Sequence, residues 1–564
     1  MTRFRLSALP ALSPLTYSAL LTLTLALLYN GPLWQLILDQ SYPSDLKRWG
    51  FTLAFFSFIY AVLQLFMGTL SWRQIIKPLA IFLILSSSSI SYLMQSYGIV
   101  IDKGMVQNLF QTDVAEAGEL LSSGLILHFL LTGLAPALVF TLIPIKKVTP
   151  VRMLALQSAN LFACLALIGL NAGLLYKDYS SLFRNHREVR NLAVPSNFLY
   201  YGGRYLAGAY DPEDRTFEVL GSDARHISSP LLQVGTTPKS DLMVVVVGET
   251  ARADHFSLNG YSRDTNPELE QRNVISFTQV ESCGTATAVS LPCMFSFLGR
   301  DRFDDSKALF QSNVLDVMSS AKIDALWRDN NSGCKGVCER IPSEEPKQFV
   351  TAADCKGDEC FDQAMLNNLD QFLASGNGPK ILLLHQKGSH GPAYYKRVPD
   401  SFQRYTPVCE SSELQTCSAD DIVNAYDNTI LYTDHFLASV IDYLKTKQAN
   451  YNTAMLYMSD HGESLGENNV YLHGMPWLLA PDAQKHVPMV FWSSEGFRSS
   501  RGIDQTCLQN LKDKAVSQDN LPHSLLGLMQ VSTSVYQPEL DLFASCRQSE
   551  SQLALQPVSA DQAG

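Results

Sequence analysis

The chain has 564 residues, of which 46% are hydrophobic and 17% are charged, and its formal net charge is -11. This length exceeds that of one ordinary domain, and the low charged fraction excludes a chain that is soluble throughout. The apolar residues are concentrated at the N-terminal end. We therefore expect a transmembrane domain at residues 1–176, a connecting segment at 177–240 and a soluble acidic domain at 241–564. We expect no nucleic-acid partner.

Five stretches lack Asp, Glu, Lys and Arg for long enough to cross a bilayer as helices. They are Leu6–Leu38, Gly50–Trp72, Pro78–Ile101, Leu120–Ile145 and Met153–Tyr176. The first is too long for a simple signal peptide, so we expect it to remain as a helix. The positive charges beside the spans favour a cytoplasmic N-terminus. An odd number of spans then places the C-terminal domain outside, which is the periplasm in a Gram-negative cell.

The loop between the third and fourth spans carries polar residues every four positions, at Asn108, Thr112 and Glu116. This spacing predicts that the three side chains share one helix face. They could bind a lipid headgroup or form the solvated face of a connecting helix. After the fifth span, aromatic and basic residues alternate, as in a helix lying in the membrane interface. Residues 195–239 are rich in Gly, Tyr, Ser and Pro and predict an extended linker.

Ten of the eleven cysteines follow residue 280, and they form neighbouring pairs. The pairs are Cys283 with Cys293, Cys334 with Cys338, Cys355 with Cys360, Cys409 with Cys417, and Cys507 with Cys546. The two-residue gap that is typical of zinc-binding cysteine pairs is absent from all of them. An even number of closely spaced cysteines favours disulfides, and therefore an oxidising compartment.

From residue 241, short apolar runs alternate with helical stretches. The runs are Leu242–Val247, Ile381–Leu384, Thr453–Met458 and Val487–Trp492, and the helical stretches are Ile422–Leu444 and Leu521–Met529. Continuous β-branched and aliphatic runs are typical of strands buried on both faces. The alternation predicts an α/β domain with a mostly parallel sheet and helices on both faces.

Ligands of such sheets lie beyond the carboxyl ends of the strands. Three runs end in polar clusters, and two of these clusters supply Glu249, Asp460 and His461. Two carboxylates and an imidazole suit Zn²⁺ or Mn²⁺ and leave a place for a fourth ligand. His390 and His473 are further candidates for binding a substrate phosphate, for acid–base catalysis or for a second metal.

A hydroxyl residue could complete this set. Thr285, Thr287 and Ser290 lie between Cys283 and Cys293, after a predicted strand and turn. A hydroxyl at the start of a helix lies near unpaired backbone N–H groups, which favour its anionic form. A metal would lower its pKa further and make it a nucleophile. The alternative is an ordinary disulfide-closed loop with helix-capping hydroxyls.

Together, these motifs resemble one family, the phosphoethanolamine transferases that modify lipid A, which include the mobile colistin resistance enzymes. The motifs are Gly248–Ala253, Asn259–Tyr261, Ser282–Ala288, Cys334–Cys338, Gly388–Pro392 and Ser459–Glu467. The resemblance covers nearly the whole chain. It implies a catalytic domain of the alkaline phosphatase and sulfatase superfamily, in an inner-membrane protein that acts on phosphatidylethanolamine and lipid A among the membrane lipids.

Carried over by position, the resemblance implies one tightly bound Zn²⁺ held by Glu249, Asp460 and His461, with Thr285 as ligand and nucleophile. It places Glu463 near a second zinc. It also implies that Lys335, His390 and His473 line the phosphoethanolamine site. It also makes Asn108, Thr112 and Glu116 a lipid-binding motif. The implied reaction forms a phosphoethanolamine-threonine and then transfers the group to a lipid A phosphate, which confers polymyxin resistance.

Three other functions compete with this prediction. The acceptor could be a core sugar of lipopolysaccharide or a periplasmic glucan. A sulfatase or phosphodiesterase would use water instead, but Met294 stands where sulfatases carry an arginine. A metal-free receptor domain would have lost the metal positions, and these are intact. We expect the protein to act as a monomer.

Overall fold

The computed structural model describes residues 10–111, 114–186, 188–209, 216–227, 239–356 and 359–547. Two compact units divide the chain. The first comprises Met1–Val106 and Leu120–Asp211, and the second comprises Gln107–Glu119 and Pro212–Gly564. This division departs from the expected one in two places. Residues 177–211 belong to the first unit, and a segment between two membrane spans belongs to the second.

Ten helices are named here up to residue 209. They are α1 (Pro14–Leu28), α2 (Gly31–Leu38), α3 (Asp45–Thr69), α4 (Ile76–Tyr97), α5 (Lys103–Gln111), α6 (Val114–Glu119), α7 (Ser123–Leu142, with a π-helical turn), α8 (Pro150–Leu174), α9 (Tyr176–Asn185) and α10 (Ser196–Ala209). Helices α3, α4, α7 and α8 are long and apolar enough to cross a membrane. Within the described residues there are thus four candidate spans, or five if the α1–α2 pair counts as one.

The first predicted span is not one continuous helix, because α1 and α2 meet at a bend of 63°. The bend lies at Asn30-Gly31-Pro32. A proline lacks the backbone donor of a helix interior and disfavours helical geometry in the preceding residue. The Asn30 amide stabilises the bend by donating to the carbonyls of Leu25 and Val194, both at 2.9 Å.

The expected linker at residues 195–239 is helical in its first part, where α10 runs from Ser196 to Ala209. Tertiary contacts outweigh the weak helix propensity of its glycines: the Tyr201 hydroxyl donates to the Asn191 side chain at 2.8 Å. Nearby, Tyr179 of α9 packs its ring against aromatic rings of α3, with centroids 5.2 to 6.0 Å apart. The remaining described residues, 216–227, include a short strand that pairs with Val531–Ser532.

The second unit contains an eight-stranded sheet. Its strands are β1 (Ser240–Gly248), β2 (Ile275–Glu281), β3 (Asp324–Asp329), β4 (Ser343–Glu344), β5 (Lys380–His385), β6 (Tyr451–Ser459), β7 (His486–Ser493) and β8 (Val516–Ser517). They lie in the order β8-β2-β7-β6-β1-β5-β3-β4. Only β7 among them is antiparallel to its neighbours. The prediction of a mostly parallel sheet is confirmed.

Both faces of the sheet are covered. Along β1, Met243, Val245 and Val247 belong to one buried core, and the alternate residues Leu242, Val244 and Val246 belong to another. Helix α11 (Ala419–Thr446) packs in the second core and helix α12 (Leu521–Leu528) in the first. The double burial explains why β1 is apolar at every position from Leu242 to Val247 rather than at alternate ones.

Shorter elements complete the unit. The further α-helices are Pro267–Glu270, Thr287–Met294, Asp305–Leu309, Val314–Ser320, Pro346–Phe349, Leu369–Leu373, Glu495–Ser499 and Gln505–Leu511. Two small hairpins pair Ser464–Leu465 with Tyr471–Leu472 and Cys355–Lys356 with Glu359–Cys360. All five predicted disulfides are present, and Cys164 is the free cysteine of the described residues.

Candidate active site

The ends of two neighbouring parallel strands bring three predicted metal ligands together. Gly248 at the end of β1 is opposite Ser459 at the end of β6, so Glu249 and the pair Asp460–His461 leave the sheet side by side. One ligand atom from each of the three residues lies within 4.8 Å of the others. All three side chains are buried, with at most 1% exposure.

The electrostatics of these residues suit a cation. Burial raises the pKa of Asp460 to about 6 and lowers the pKa of His461 to about 4. The His461 ring is therefore neutral near pH 7. Its Nδ1 pairs with the Gly462 carbonyl at 2.9 Å, which leaves the Nε2 lone pair facing Glu249 and Asp460 at 3.5 and 3.3 Å. Two buried carboxylates beside a lone pair fit a divalent metal ion, whose charge would offset their repulsion.

Thr287, rather than Thr285, lies beside these ligands. Its Oγ1 is 3.2 Å from both carboxylate oxygens of Glu249 and 3.2 Å from His461 Nε2. Thr285 points elsewhere and donates its hydroxyl to the Met475 carbonyl at 2.6 Å. The expectation that Thr285 is the nucleophile does not agree with this geometry. The reason is local: the helix begins at Thr287, after Ala286 as N-cap, so Thr287 carries the hydroxyl at the helix N-terminus.

A disulfide, a close-packed glycine and the Gln518 side chain fix the loop that carries Thr287. The Cys283–Cys293 disulfide closes it, and a Cβ at Gly284 would come within 2.8 Å of the Ser290 nitrogen, so the turn requires glycine. Gln518 accepts from the Cys283 N–H at 2.6 Å and from the Ser290 hydroxyl at 2.9 Å. Its amide nitrogen Nε2 donates to the backbone carbonyl of Asp460 at 2.7 Å. Gln518 thus ties the Thr287 loop to the metal-ligand loop, and no motif in the sequence identified it.

Side chains at and just beyond the ends of β3 and β5 form a second polar group beside Glu249. The Asn331 amide donates to a Glu249 carboxylate oxygen at 2.5 Å. Asp329 lies 2.9 Å from His385 Nδ1. Burial alone would raise the pKa of Asp329, but the charge of His385 more than offsets this and lowers it to about 2. The sequence does not predict Asn331 or Asp329 as site residues, because β3 has no continuous apolar run that would mark it as a strand.

Glu463, His473 and His390 lie next to the first ligand set. His473 Nδ1 is 2.8 Å from a Glu463 oxygen, and the Tyr394 hydroxyl donates to the other oxygen at 2.6 Å. The His473 ring centroid is 4.3 Å from that of His461 and 5.8 Å from that of His390. Burial raises the pKa of Glu463 to about 7. These residues offer a further carboxylate and two imidazoles to a second metal or to a phosphate.

Lys335 occupies a strained turn inside the Cys334–Cys338 disulfide, with φ at 48°. Its Nζ donates to the Ser332 carbonyl at 2.8 Å and to the Gln111 carbonyl at 3.3 Å. Of the predicted lipid-binding residues, Asn108 lies in α5. Thr112 and the Glu116 side chain lie outside the described residues, so their shared face stays a prediction.

The parallel sheet, the buried Glu–Asp–His set and the threonine at a helix N-terminus define a metal-dependent enzyme of the sulfatase and alkaline phosphatase class. Two family models match the chain. Residues 241–531 match the Sulfatase family, and residues 59–210 match the family described as phosphoethanolamine transferase EptA/EptB.

Named relatives lead to a narrower assignment. The chain is 40% identical to phosphoethanolamine transferase EptA of Escherichia coli K12, over 86% of this chain and 89% of the relative. It is 39% identical to phosphatidylethanolamine transferase Mcr-1 of Escherichia coli, over 88% and 91%. The structure of the integral membrane lipooligosaccharide phosphoethanolamine transferase A of Neisseria meningitidis superposes with a TM-score of 0.89 at 34% identity, covering 96% of this chain and 100% of that one. The chain belongs to the phosphoethanolamine transferase family.

Proposed function

We propose that the protein transfers phosphoethanolamine from phosphatidylethanolamine to a phosphate group of lipid A, with Thr287 as the nucleophile. The observation that carries the proposal is the position of Thr287 Oγ1, 3.2 Å from Glu249 and from His461 at a helix N-terminus. The family assignment supports the transferred group. The relatives' names, which specify phosphatidylethanolamine and lipooligosaccharide, support the donor and the acceptor.

In the first half of the reaction, Thr287 Oγ1 bonds to the donor phosphorus and the bond from phosphorus to the diacylglycerol oxygen breaks. The hydroxyl proton leaves Thr287, and diacylglycerol departs with a proton. In the second half, an oxygen of a lipid A phosphate bonds to phosphorus and Thr287 Oγ1 is released and reprotonated. The Glu463–His473 pair can accept and return these protons, since its imidazole and carboxylate lie 2.8 Å apart beside His461.

Glu249, Asp460 and His461 would hold a zinc ion, with Thr287 as the fourth ligand. Bound there, zinc would supply Lewis-acid stabilisation of the threonine alkoxide and of the phosphoryl oxygens. Glu463, His390 and His473 would bind a second zinc or the substrate phosphate. Lys335 would neutralise negative charge on the transferred group, and Asn108, Thr112 and Glu116 would bind the lipid headgroup.

The protein is an inner-membrane protein whose catalytic domain faces the periplasm. Its spans confine two lipid substrates to one interface, and its five disulfides suit that oxidising compartment. In this proposal one chain supplies the whole site and acts as a monomer. The added ammonium lowers the negative charge of lipid A and weakens its attraction for polymyxin and other cationic peptides.

The test is expression of the full chain in a Gram-negative strain that lacks such transferases, followed by mass spectrometry of purified lipid A. We expect phosphoethanolamine on a lipid A phosphate, and none with Thr287→Ala. An adduct only on core sugars or on periplasmic glucans would overturn the acceptor. Release of free phosphoethanolamine without any adduct would instead establish a hydrolase.

A further inference from the structure

Arg397 carries a charge that is withdrawn from solvent, with 1% of its side chain exposed. Its guanidinium NH2 group pairs with the Glu119 carboxylate, whose side chain is 7% exposed. Its Nε donates to the backbone carbonyl of His390 at 2.7 Å. A buried cation requires a paired anion. Glu119 therefore supports the group that holds the His390 backbone in place.

Glu119 comes from the segment 107–119, which lies between two membrane spans in sequence but belongs to the catalytic unit. This segment makes two other contacts in the same unit. The Gln107 amide donates to the Ala288 carbonyl at 3.3 Å, in the first turn of the helix that begins at Thr287. The Gln111 carbonyl accepts from Lys335 Nζ at 3.3 Å. One segment thus contacts the nucleophile helix, the Lys335 turn and, through Arg397, the His390 loop.

We propose that Glu119 and Arg397 are a positioning pair for His390, and that the segment 107–119 sets the geometry of the catalytic loops in this way. The proposal rests on the proposed function, because it assigns a role to His390 in the same site. The pair acts through the His390 main chain. When Glu119 loses its charge, Arg397 loses the carboxylate that pairs with its NH2 group. The guanidinium then shifts, and its hydrogen bond to the His390 carbonyl weakens.

A purely structural role for the pair makes different predictions. If the ion pair only stabilised the fold, Arg397→Lys would preserve function, since it keeps the positive charge beside Glu119. Lysine lacks the planar fork, however, and cannot hold the carboxylate and the His390 carbonyl together. A positioning role therefore predicts that Arg397→Lys keeps the melting temperature near that of the wild type but lowers kcat.

The experiment uses the full chain in detergent and follows release of diacylglycerol from a fluorescent phosphatidylethanolamine. We expect Glu119→Gln and Arg397→Lys to lower kcat by about 30- to 100-fold, since small misplacements of a reacting group cost about this much. Lys396→Met is the matched control. Lys396 Nζ is 3.6 Å from the same carboxylate but its side chain is 40% exposed, so its loss should change kcat by less than about twofold.

A double-variant comparison identifies the group through which the pair acts. In a His390→Ala background, Glu119→Gln should lower kcat by less than about twofold further. The two changes remove the same contribution, that of a correctly placed His390 side chain. Hydrogen–deuterium exchange gives a readout that does not need turnover. Exchange at residues 386–398 should rise in Glu119→Gln, while exchange in β1 should stay at its wild-type level.

Two results would overturn the proposal: fully multiplicative losses for Glu119→Gln and His390→Ala, or unchanged exchange at residues 386–398 in Glu119→Gln. A wild-type chain that releases no diacylglycerol would overturn the proposed function instead. In that case the exchange comparison still decides whether Glu119 holds the His390 loop, so the two failures are distinguishable.

Discussion

Replacing Thr287 is the most direct perturbation of the site, and Thr285 provides a matched control two residues away. Thr287→Ala removes the hydroxyl that lies 3.2 Å from the Glu249 oxygens. With the nucleophile gone, transfer should fall by about 10⁴-fold or more, as for other enzymes that use covalent catalysis. Thr287→Ser keeps a hydroxyl and should retain measurable transfer.

Thr285→Ala should have a different effect. It removes the hydrogen bond to the Met475 carbonyl, which is 2.6 Å long in a side chain that is 8% exposed. Leaving this part-buried carbonyl without its donor costs about 1 kcal/mol of folding free energy, the lower end of the range for a buried group. The variant should therefore melt at a lower temperature but still form the covalent intermediate.

The assay is intact-mass measurement of each variant after incubation with phosphatidylethanolamine and no acceptor. The wild type, Thr287→Ser and Thr285→Ala should gain one phosphoethanolamine, and Thr287→Ala should gain none. Peptide mapping should place the group on Thr287. An adduct that persists in Thr287→Ala and disappears in Thr285→Ala would refute the assignment made from the geometry.

Three further predictions concern the metal, pH and the Lys335 turn. Glu249→Gln should lower zinc content, measured by atomic emission, because it removes one of two carboxylate ligands; full retention would contradict the ligand set. In metal-free protein, Asp329 and nearby carboxylates more than offset the effect of burial and raise the pKa of His385. The pair then stabilises the fold fully below about pH 6.5 and loses this effect as pH rises through the raised pKa, so Asp329→Asn should lower Tm more at about pH 5.5 than at about pH 9. An equal loss at both values would refute this pairing. Replacing both cysteines of the Cys334–Cys338 disulfide should cost about 2 kcal/mol by loop entropy and raise KM for the donor, with zinc content unchanged; an unchanged KM would separate this turn from substrate binding.

Much of the fold follows from local sequence patterns. Strand β1 and its neighbours are recognisable in the sequence as apolar runs, because residues buried on both faces of a sheet are mostly apolar. Strand β3 is harder to recognise. Its sequence Asp-Ala-Leu-Trp-Arg-Asp contains a buried Arg328, whose charge is matched by Glu344 at 2.5 Å. An ion pair formed across the sheet has no local signature, so neither the strand nor Asp329 and Asn331 can be identified from the sequence.

The candidate site was predictable in its ligand types but not in its nucleophile. Glu249, Asp460 and His461 follow directly from the rule that parallel strands end at one edge. The choice between Thr285 and Thr287 depends on which residue begins the helix. Ala286 is the N-cap and makes no side-chain cap hydrogen bond, so the usual capping signal for a helix start is missing. The bend at Asn30 was different, since the Gly-Pro that follows it marks a break in the sequence itself.

The interleaving of the two units affects how the protein is made. Glu119 and Arg397 are 278 residues apart in the chain. At roughly 5–20 residues per second, the ribosome needs between about 14 and 56 s to make the second partner after the first. During that interval the segment 107–119 is already flanked by inserted spans, while the sheet it will join does not yet exist. The catalytic unit can therefore close only late in synthesis, and an unfinished chain in the membrane has no assembled site with which to act on the surrounding lipid.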